Sequence, residues 1–230
     1  MNGRKQKVSE ASVFKASCLE KMFVQKGEKR PRLRLAGFEG DWVECRLGDM
    51  ANKITAKNAQ SQYSEVLTNS AEFGVIRQRD FFNHSIAKAN SISGYYVVEQ
   101  LDFIYNPRVS VSAPVGPINC NRLGMVGVVS PLYTVFRTHD VNVRFLEYYF
   151  KTNLWRQYMV WVGNSGARFD RFSISDEDFF SMPIILPPTV AEQEAIGKFF
   201  EDLDKVIELQ AKKVEKLRHI KAGCLERMFG

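Results

Sequence analysis

The stretch Phe14-Lys-Ala-Ser-Cys-Leu-Glu-Lys-Met-Phe23 returns near the other end of the chain as Ile220-Lys-Ala-Gly-Cys-Leu-Glu-Arg-Met-Phe229, with seven identities in ten positions. A spacing of roughly 200 residues is too long for a solenoid unit. The repeat therefore reads as one helical element on both sides of a single intervening domain. The C-terminal element is the better determined. Pro187-Pro188 stops whatever precedes it, and Thr189-Val-Ala-Glu192 matches a capping box in which Thr and Glu satisfy each other's free N–H groups. The apolar positions Ile196, Phe199, Leu203, Ile207, Val214, Leu217, Ile220, Cys224 and Met228 then follow in steps of mostly three and four, with Gln210 in the same seam. About 40 residues at 1.5 Å each make a rod of about 60 Å. Such a seam needs a mate, either a second copy of itself or the N-terminal element. The alternative is a helix folded back on its own domain.

The middle of the chain has another texture. Val66-Leu67, Phe73-Gly-Val-Ile76, Tyr95-Tyr-Val-Val98, Phe103-Ile-Tyr105, Gly124-Met-Val126, Val128-Val129 and Leu132-Tyr-Thr-Val-Phe136 are short β-branched or aromatic runs bounded by turn residues, and they read as strands. Residues 143–151 and 154–162 carry aromatic and aliphatic side chains at helical spacing (Phe145, Leu146, Tyr149; Leu154, Tyr158, Trp161), and residues 176–181 a short helical turn. These aromatics are expected in the core. The fold class expected is α+β: one mixed α/β domain with polar loops at 52–63, 83–94, 107–122 and 163–171, plus a long C-terminal coiled-coil helix. The divisions are residues 1–40 (a short helix and basic link), 41–188 (the domain) and 189–230 (the long helix).

Composition narrows the function. No apolar run approaches the roughly 18–20 residues that span a bilayer, and residues 1–7 are polar. The four cysteines (Cys18, Cys45, Cys120, Cys224) and three histidines (His84, His139, His219) are scattered, so neither disulfides nor a metal site is expected, and a reducing cytoplasm is the expected setting. The net charge of +6 is concentrated at the start, where residues 1–35 hold 10 Lys and Arg against 3 acids. Residues 50–168 still hold 12 basic against 7 acidic side chains, which leaves room for a basic face. There is no GxxxxGK[ST] and no GxGxxG after a strand, so a nucleotide cradle is not expected. Leu186-Pro187-Pro188-Thr189 has the prolines of an amino-methyltransferase loop but neither the acceptor residue before them nor the aromatic after. Asp176 and Asp178 read as first-turn acids complementing a helix dipole rather than as a catalytic pair. The chain is expected to catalyse nothing and to need no cofactor or metal.

A resemblance emerges at both ends. Pro183-Ile-Ile-Leu-Pro-Pro188, then Glu192-Gln193, Ile196, Leu203-Asp204, Ile207, Lys212-Lys213, Lys216-Leu217, Lys221 and Leu225-Glu-Arg-Met-Phe229 resemble the end of a target-recognition domain running into the spacer helix of a type I restriction-modification specificity subunit. Residues 15–23, then Pro31-Arg-Leu-Arg-Leu-Ala-Gly-Phe38, Trp42 and Leu47-Gly48 resemble the link from such a helix into a recognition domain. Gly127-Val-Val-Ser-Pro-Leu-Tyr133 and residues 163–168 are similar to weaker patterns of that family. The family's subunits usually carry two recognition domains and two spacer helices, whereas this chain has one domain with its end elements.

The resemblance implies a non-catalytic subunit that reads double-stranded DNA. S-adenosylmethionine, ATP and Mg would sit only on the separate modification (methyltransferase) and restriction subunits, which methylate adenine or cleave. A homodimer joined through its spacer helices (Ile196, Phe199, Leu203, Ile207, Gln210, Val214, Leu217, Ile220, Met228) would read a symmetric, interrupted target. Phosphate contact wants Lys and Arg in loops, and base readout wants Arg for guanine and Asn for adenine. The candidates are Lys57, Arg77, Arg79, Asn83, Lys88, Asn90, Arg108, Asn121, Arg122, Asn164, Ser165, Arg168 and Arg171. The 163–171 loop stands out, because its glycines would let backbone approach a phosphate between flanking arginines. Two other classes remain open on the residues alone: a coiled-coil adaptor for protein partners without DNA readout, and a self-contained methyltransferase or nuclease, which the absent motifs disfavour.

Overall fold

Short strands at β-branched and aromatic runs build a sheet that is buried on both faces. The computed structural model describes residues 2–81, 92–163 and 170–229. It comprises two compact units, Val43–Leu186 and the pair of segments Met1–Trp42 and Pro187–Gly230. In the first unit, β2 (Ala51–Ile54), β9 (Thr134–Thr138), β6 (Phe103–Tyr105) and β7 (Ile118–Cys120) form a four-stranded sheet in the order β2-β9-β6-β7, antiparallel at every step. Around it are three two-stranded pairs: β1 (Val43–Arg46) with β10 (Pro183–Leu186), β3 (Leu67–Ser70) with β4 (Gly74–Arg77), which runs on into the single turn α2 (Gln78–Phe81), and β5 (Tyr96–Val98) with β8 (Gly127–Val129).

Successive side chains alternate across a strand, and the register turns that rule into two cores. Phe103 lies opposite Phe136 with their rings stacked at 5.2 Å. Phe150, after α3 (Val143–Tyr149), and Phe179, in α5 (Asp176–Phe180), close on that aromatic face at 5.7 and 5.8 Å. Ile104 and Val135 point the other way and pack with Leu67, Val75, Val98 and Val129 from the flanking strand pairs. Asn142 caps α3 by accepting from the Phe145 N–H, and Ser175 caps α5 by accepting from the Asp178 N–H. Trp155, in α4 (Leu154–Val162), is buried and donates its indole N–H to the Phe150 carbonyl at 3.0 Å.

The α+β class holds, and several elements differ from the sequence reading. β7 lies inside the stretch expected as a 107–122 loop, β2 occupies the start of the expected 52–63 loop, and β1 and β10 are strands that the sequence reading does not contain. Residues 124–126 are not a strand, since 123–125 form a bend with Gly124 at φ +71°. Trp161 is 81% exposed rather than in the core, because the buried stripe of α4 runs through Trp155 and Met159.

In the second unit, α1 (Asn2–Met22) packs against α6 (Val190–Phe229). Lys15 is ion-paired with Asp204, and the Phe23 ring stacks on Phe200 at 5.9 Å. The two contacts advance in opposite chain directions, so the helices are antiparallel. Cys18, Met22, Phe23, Ile196 and Phe200 are buried, and Trp42 joins them edge-on to Phe23. The mate of the N-terminal half of α6 is thus the N-terminal element. The expected capping box is only half formed. Thr189 accepts from the Glu192 N–H, but the Glu192 carboxylate turns away to Arg34, with both contacts at 2.8 Å. That carboxylate is 1% exposed. Arg34 also donates to the Glu39 and Gly40 carbonyls, which fastens the 31–40 link to the start of α6.

Candidate nucleic-acid interface

Strand direction decides which loops can act together. Because β2 and β6 both run antiparallel to β9, they are parallel to each other, and both end at the same edge of the sheet. Lys57 follows β2 and Arg108 follows β6, so both emerge there. β7 begins at that same edge and ends at the opposite one, where Asn121 and Arg122 lie. One sheet thus separates the sequence candidates into two groups.

At the first edge the backbone knits the loops in pairs. Arg108 and Arg171 form an antiparallel bridge, flanked by Val109 N–H to the Asp170 carbonyl at 3.0 Å and Phe172 N–H to the Pro107 carbonyl at 2.8 Å. The start of the expected 107–122 loop and the end of the expected 163–171 loop are therefore joined through a short ribbon. Both guanidinium groups approach the Asp170 carboxylate, at 3.7 Å from Arg108 and 3.9 Å from Arg171, which leaves the Arg108 side chain mostly exposed. Beyond Arg108 the chain reverses in a tight turn, in which Ser110 and Ala113 exchange backbone hydrogen bonds and Val111 is fully exposed between Ser110 and Ser112. Lys57 is exposed and bridges Tyr96, while Asn58 N–H reaches the Tyr95 carbonyl and Val97 N–H the Ala56 carbonyl. The buried Asn58 side chain contacts Tyr63 and the Ile92 carbonyl, so the described flank of the 83–94 loop is held at this edge too. Three cations lie on loops leaving this edge, exposed Lys57 and Arg108 and half-buried Arg171, the last two beside the Asp170 carboxylate, with Ser110 and Ser112 in the turn that follows Arg108. Lys and Arg with small hydroxyl donors are the groups that contact phosphate.

The remaining candidates sit differently. Asn121 is completely buried. Its amide donates to the Glu99 and Met125 carbonyls and its oxygen accepts from Leu123 N–H, so every edge a base could read is used inside the protein. Arg122 is paired with Glu147 at 2.8 Å, and Arg79 with Glu65 at 2.9 Å. Arg77 reaches the Met125 sulfur at 3.5 Å. Asn83, Lys88, Asn90, Asn164, Ser165 and Arg168 lie outside the described residues. Gly163 has a structural reason to be glycine: a Cβ there would sit 2.3 Å from the Phe172 ring.

Sequence reasoning missed an asparagine lattice that stiffens the same edge. Asn69 donates to the Ile104 and Pro117 carbonyls at 2.6 and 3.0 Å, Asn119 donates to Asn69 Oδ1, and Asn106 donates to the Asn69 carbonyl while accepting from Arg108 N–H. Asn69, Asn106 and Asn119 read locally as turn residues; only their cross-strand partners reveal the role. Reactive chemistry has little support among the described residues. Burial pushes the Cys120 thiol up to about 12, so it stays protonated. The open cleft of about 460 Å³ beside β1, lined by Glu44, Cys45, Arg46, Asp49, Tyr158 and Trp161 among others, holds its Cys45 thiol above the usual value through burial and the two carboxylates.

Comparison with known proteins gives the family and the fold. A family model for the type I restriction modification DNA specificity domain matches residues 39–219. Among solved structures, the HsdS subunit from Thermoanaerobacter tengcongensis is similar at TM-score 0.58 and 16% identity, covering 99% of this chain and 53% of that one. The type I restriction-modification S subunit from M. genitalium is similar at TM-score 0.58 and 12% identity, covering 100% and 56%. A chain from a structure on complex assembly and conformational transition of the type I R-M system gives 0.58 and 17%, covering 98% and 53%. The likeness is one of fold, and this chain spans about half the length of each of these relatives.

Proposed function

The chain belongs to the type I restriction modification DNA specificity domain family, and from that premise we propose that it is a non-catalytic DNA-recognition subunit that reads one half-site through residues 43–186. The observation that supports this reading is that Lys57, the bridged pair Arg108 and Arg171, and the Ser110–Ser112 turn all stand on loops leaving one edge of a sheet buried on both faces. Rigid support under cationic loops is what phosphate positioning requires, and the loop tips are then free to meet base edges. The long helix docks modification subunits and joins two copies, so that twin half-sites are read a fixed distance apart. Methyl transfer from S-adenosylmethionine and ATP-driven cleavage belong to the partner subunits, in the cytoplasm where the chromosome lies.

Two arginines give the test. In the complex with modification subunits, Arg108→Ala with Arg171→Ala is expected to weaken duplex binding and to lower the slope of log binding constant against log salt by about 1 per arginine. Arg122→Ala, at the opposite edge and paired with Glu147, is expected to leave that slope unchanged. Anisotropy titrations across a salt series read both. An unaltered slope in the double variant removes this edge from the DNA contact, and binding of partner subunits with no duplex preference in the complex favours an adaptor instead. Mapping methylated adenines in cells with and without the gene returns the recognised sequence.

A further inference from the structure

The repeat becomes informative once the docking of its first copy is seen. Upstream, Lys7-Val8 matches Lys213-Val214 at the same offset of 206, with five differing positions between. On α1 the covered stripe is Val8, Ala11, Lys15, Cys18 and Met22, with Lys15 on Asp204 and Phe23 on Phe200. The same offset on α6 gives Val214, Leu217, Lys221, Cys224 and Met228, a stripe of nearly the same chemistry in which the last three are exposed. α6 thus carries an acceptor in its first half and a duplicate of the docked partner in its second. The two halves cannot meet within one rod, because Asp204 and Lys221 are about 25 Å apart along it. A second observation agrees. A four–three stripe along α6, beside the Phe199 and Ile220 positions, is symmetric in spacing about residue 212, with 196, 200, 203, 207 and 210 mirrored by 228, 224, 221, 217 and 214. Antiparallel self-pairing requires that symmetry. Near its centre the Gln210 Oε1 is inaccessible and has no hydrogen-bond partner among the described residues, and a polar group in a seam is a device that fixes register.

We propose that two copies of this chain pair antiparallel along α6, centred at residue 212, with Lys221 of each on Asp204 of the other, and that each C-terminal repeat takes the place α1 holds in the single chain. This rests on the paired-subunit reading above and adds its register and an exchange: α1 is a placeholder whose contacts are mutually exclusive with the dimer. The exchange trades a stripe that includes buried Cys18 and Met22 of α1 for Cys224 and Met228 of the other copy, nearly the same side chains, so the two arrangements differ little in apolar burial. It depends on concentration, since α1 competes from within the same chain.

The native cysteines report the exchange without mutation. In the single chain Cys18 is buried and Cys224 exposed; in the dimer the two change places. Iodoacetamide labelling read by peptide mass spectrometry, alongside sedimentation, is expected to shift from Cys224 to Cys18 as protein concentration rises, with Cys120 as the protected reference. Lys221→Glu is expected to weaken dimerisation at least tenfold. Asp204→Lys with Lys221→Glu is expected to restore it, because the reversed pair re-forms between chains while Lys15 now faces a like charge and α1 competes less well. A dimer in which Cys18 stays protected overturns the exchange, and a dimer that the charge swap does not rescue overturns the register; both leave the paired-subunit reading standing. A chain that remains single at every concentration overturns pairing itself, without touching the DNA contact tested by the arginine variants.

Discussion

Replacing Arg34 with Ala is expected to destabilise the helical unit by about 3–5 kcal/mol, the range for stranding one member of a buried ion pair. The carboxylate left behind, Glu192, is 1% exposed and receives both of its strong hydrogen bonds from Arg34. Hydrogen bonding to Glu192 in turn holds the guanidinium more firmly charged than usual, so the pair acts as one object. The double variant Arg34→Met with Glu192→Met is expected to recover most of the loss, since a buried pair replaced by apolar side chains of similar size is often close to neutral. Denaturant unfolding with Trp42 fluorescence reads the effect, because Trp42 is buried in this unit whereas Trp155 and Trp161 belong to the other. A loss below about 1 kcal/mol for Arg34→Ala would mean that water reaches the carboxylate, as for a surface pair.

Gly116→Ala is the second large effect. Gly116 has φ +81°, and a Cβ there would stand 2.1 Å from the Asn106 carbonyl oxygen. Strain in the left-handed region and overpacking each cost about 1–3 kcal/mol, so a total of about 3 kcal/mol or more is expected. The displaced residue is the one whose side chain fixes Asn69 and the Arg108 N–H. Duplex binding should therefore fall further than in Arg108→Ala alone, because the whole ribbon moves. Gly124→Ala is the control: φ is +71° with nothing within 4 Å of the added carbon, so only the backbone conformation contributes, about 1–2 kcal/mol. Equal losses at the two positions would show that the Asn106 contact relaxes without consequence.

The long helix is legible because its signal is periodic and strong: forty residues of one seam, opened by Thr189 and uninterrupted by proline. The aromatic runs likewise mark the central strands. β7 is hidden because Asn119 and the neighbouring Pro117 and Asn121 speak for a turn when read locally, and only pairing with β6 makes Ile118-Asn-Cys120 a strand. β1 and β10 escape for the same reason, each being four residues whose partner lies about 140 positions away. At the candidate interface, residue type finds Lys57, Arg108 and Arg171 but equally proposes Asn121, whose burial no local pattern encodes. Gly163 shows the reverse error, a glycine that looks suited to a phosphate and instead makes room for an aromatic ring.

Val43 and Leu186 face each other as the outermost rung of the β1–β10 ladder, so the first and last residues of a 144-residue stretch are neighbours about 5 Å apart. A segment inserted through such a narrow gate can be exchanged wholesale: any foreign sequence that closes with the same two-strand clasp could be spliced at these joints while the flanking rods keep their own fold. Recombination between genes need then respect only two cut points to replace the whole stretch.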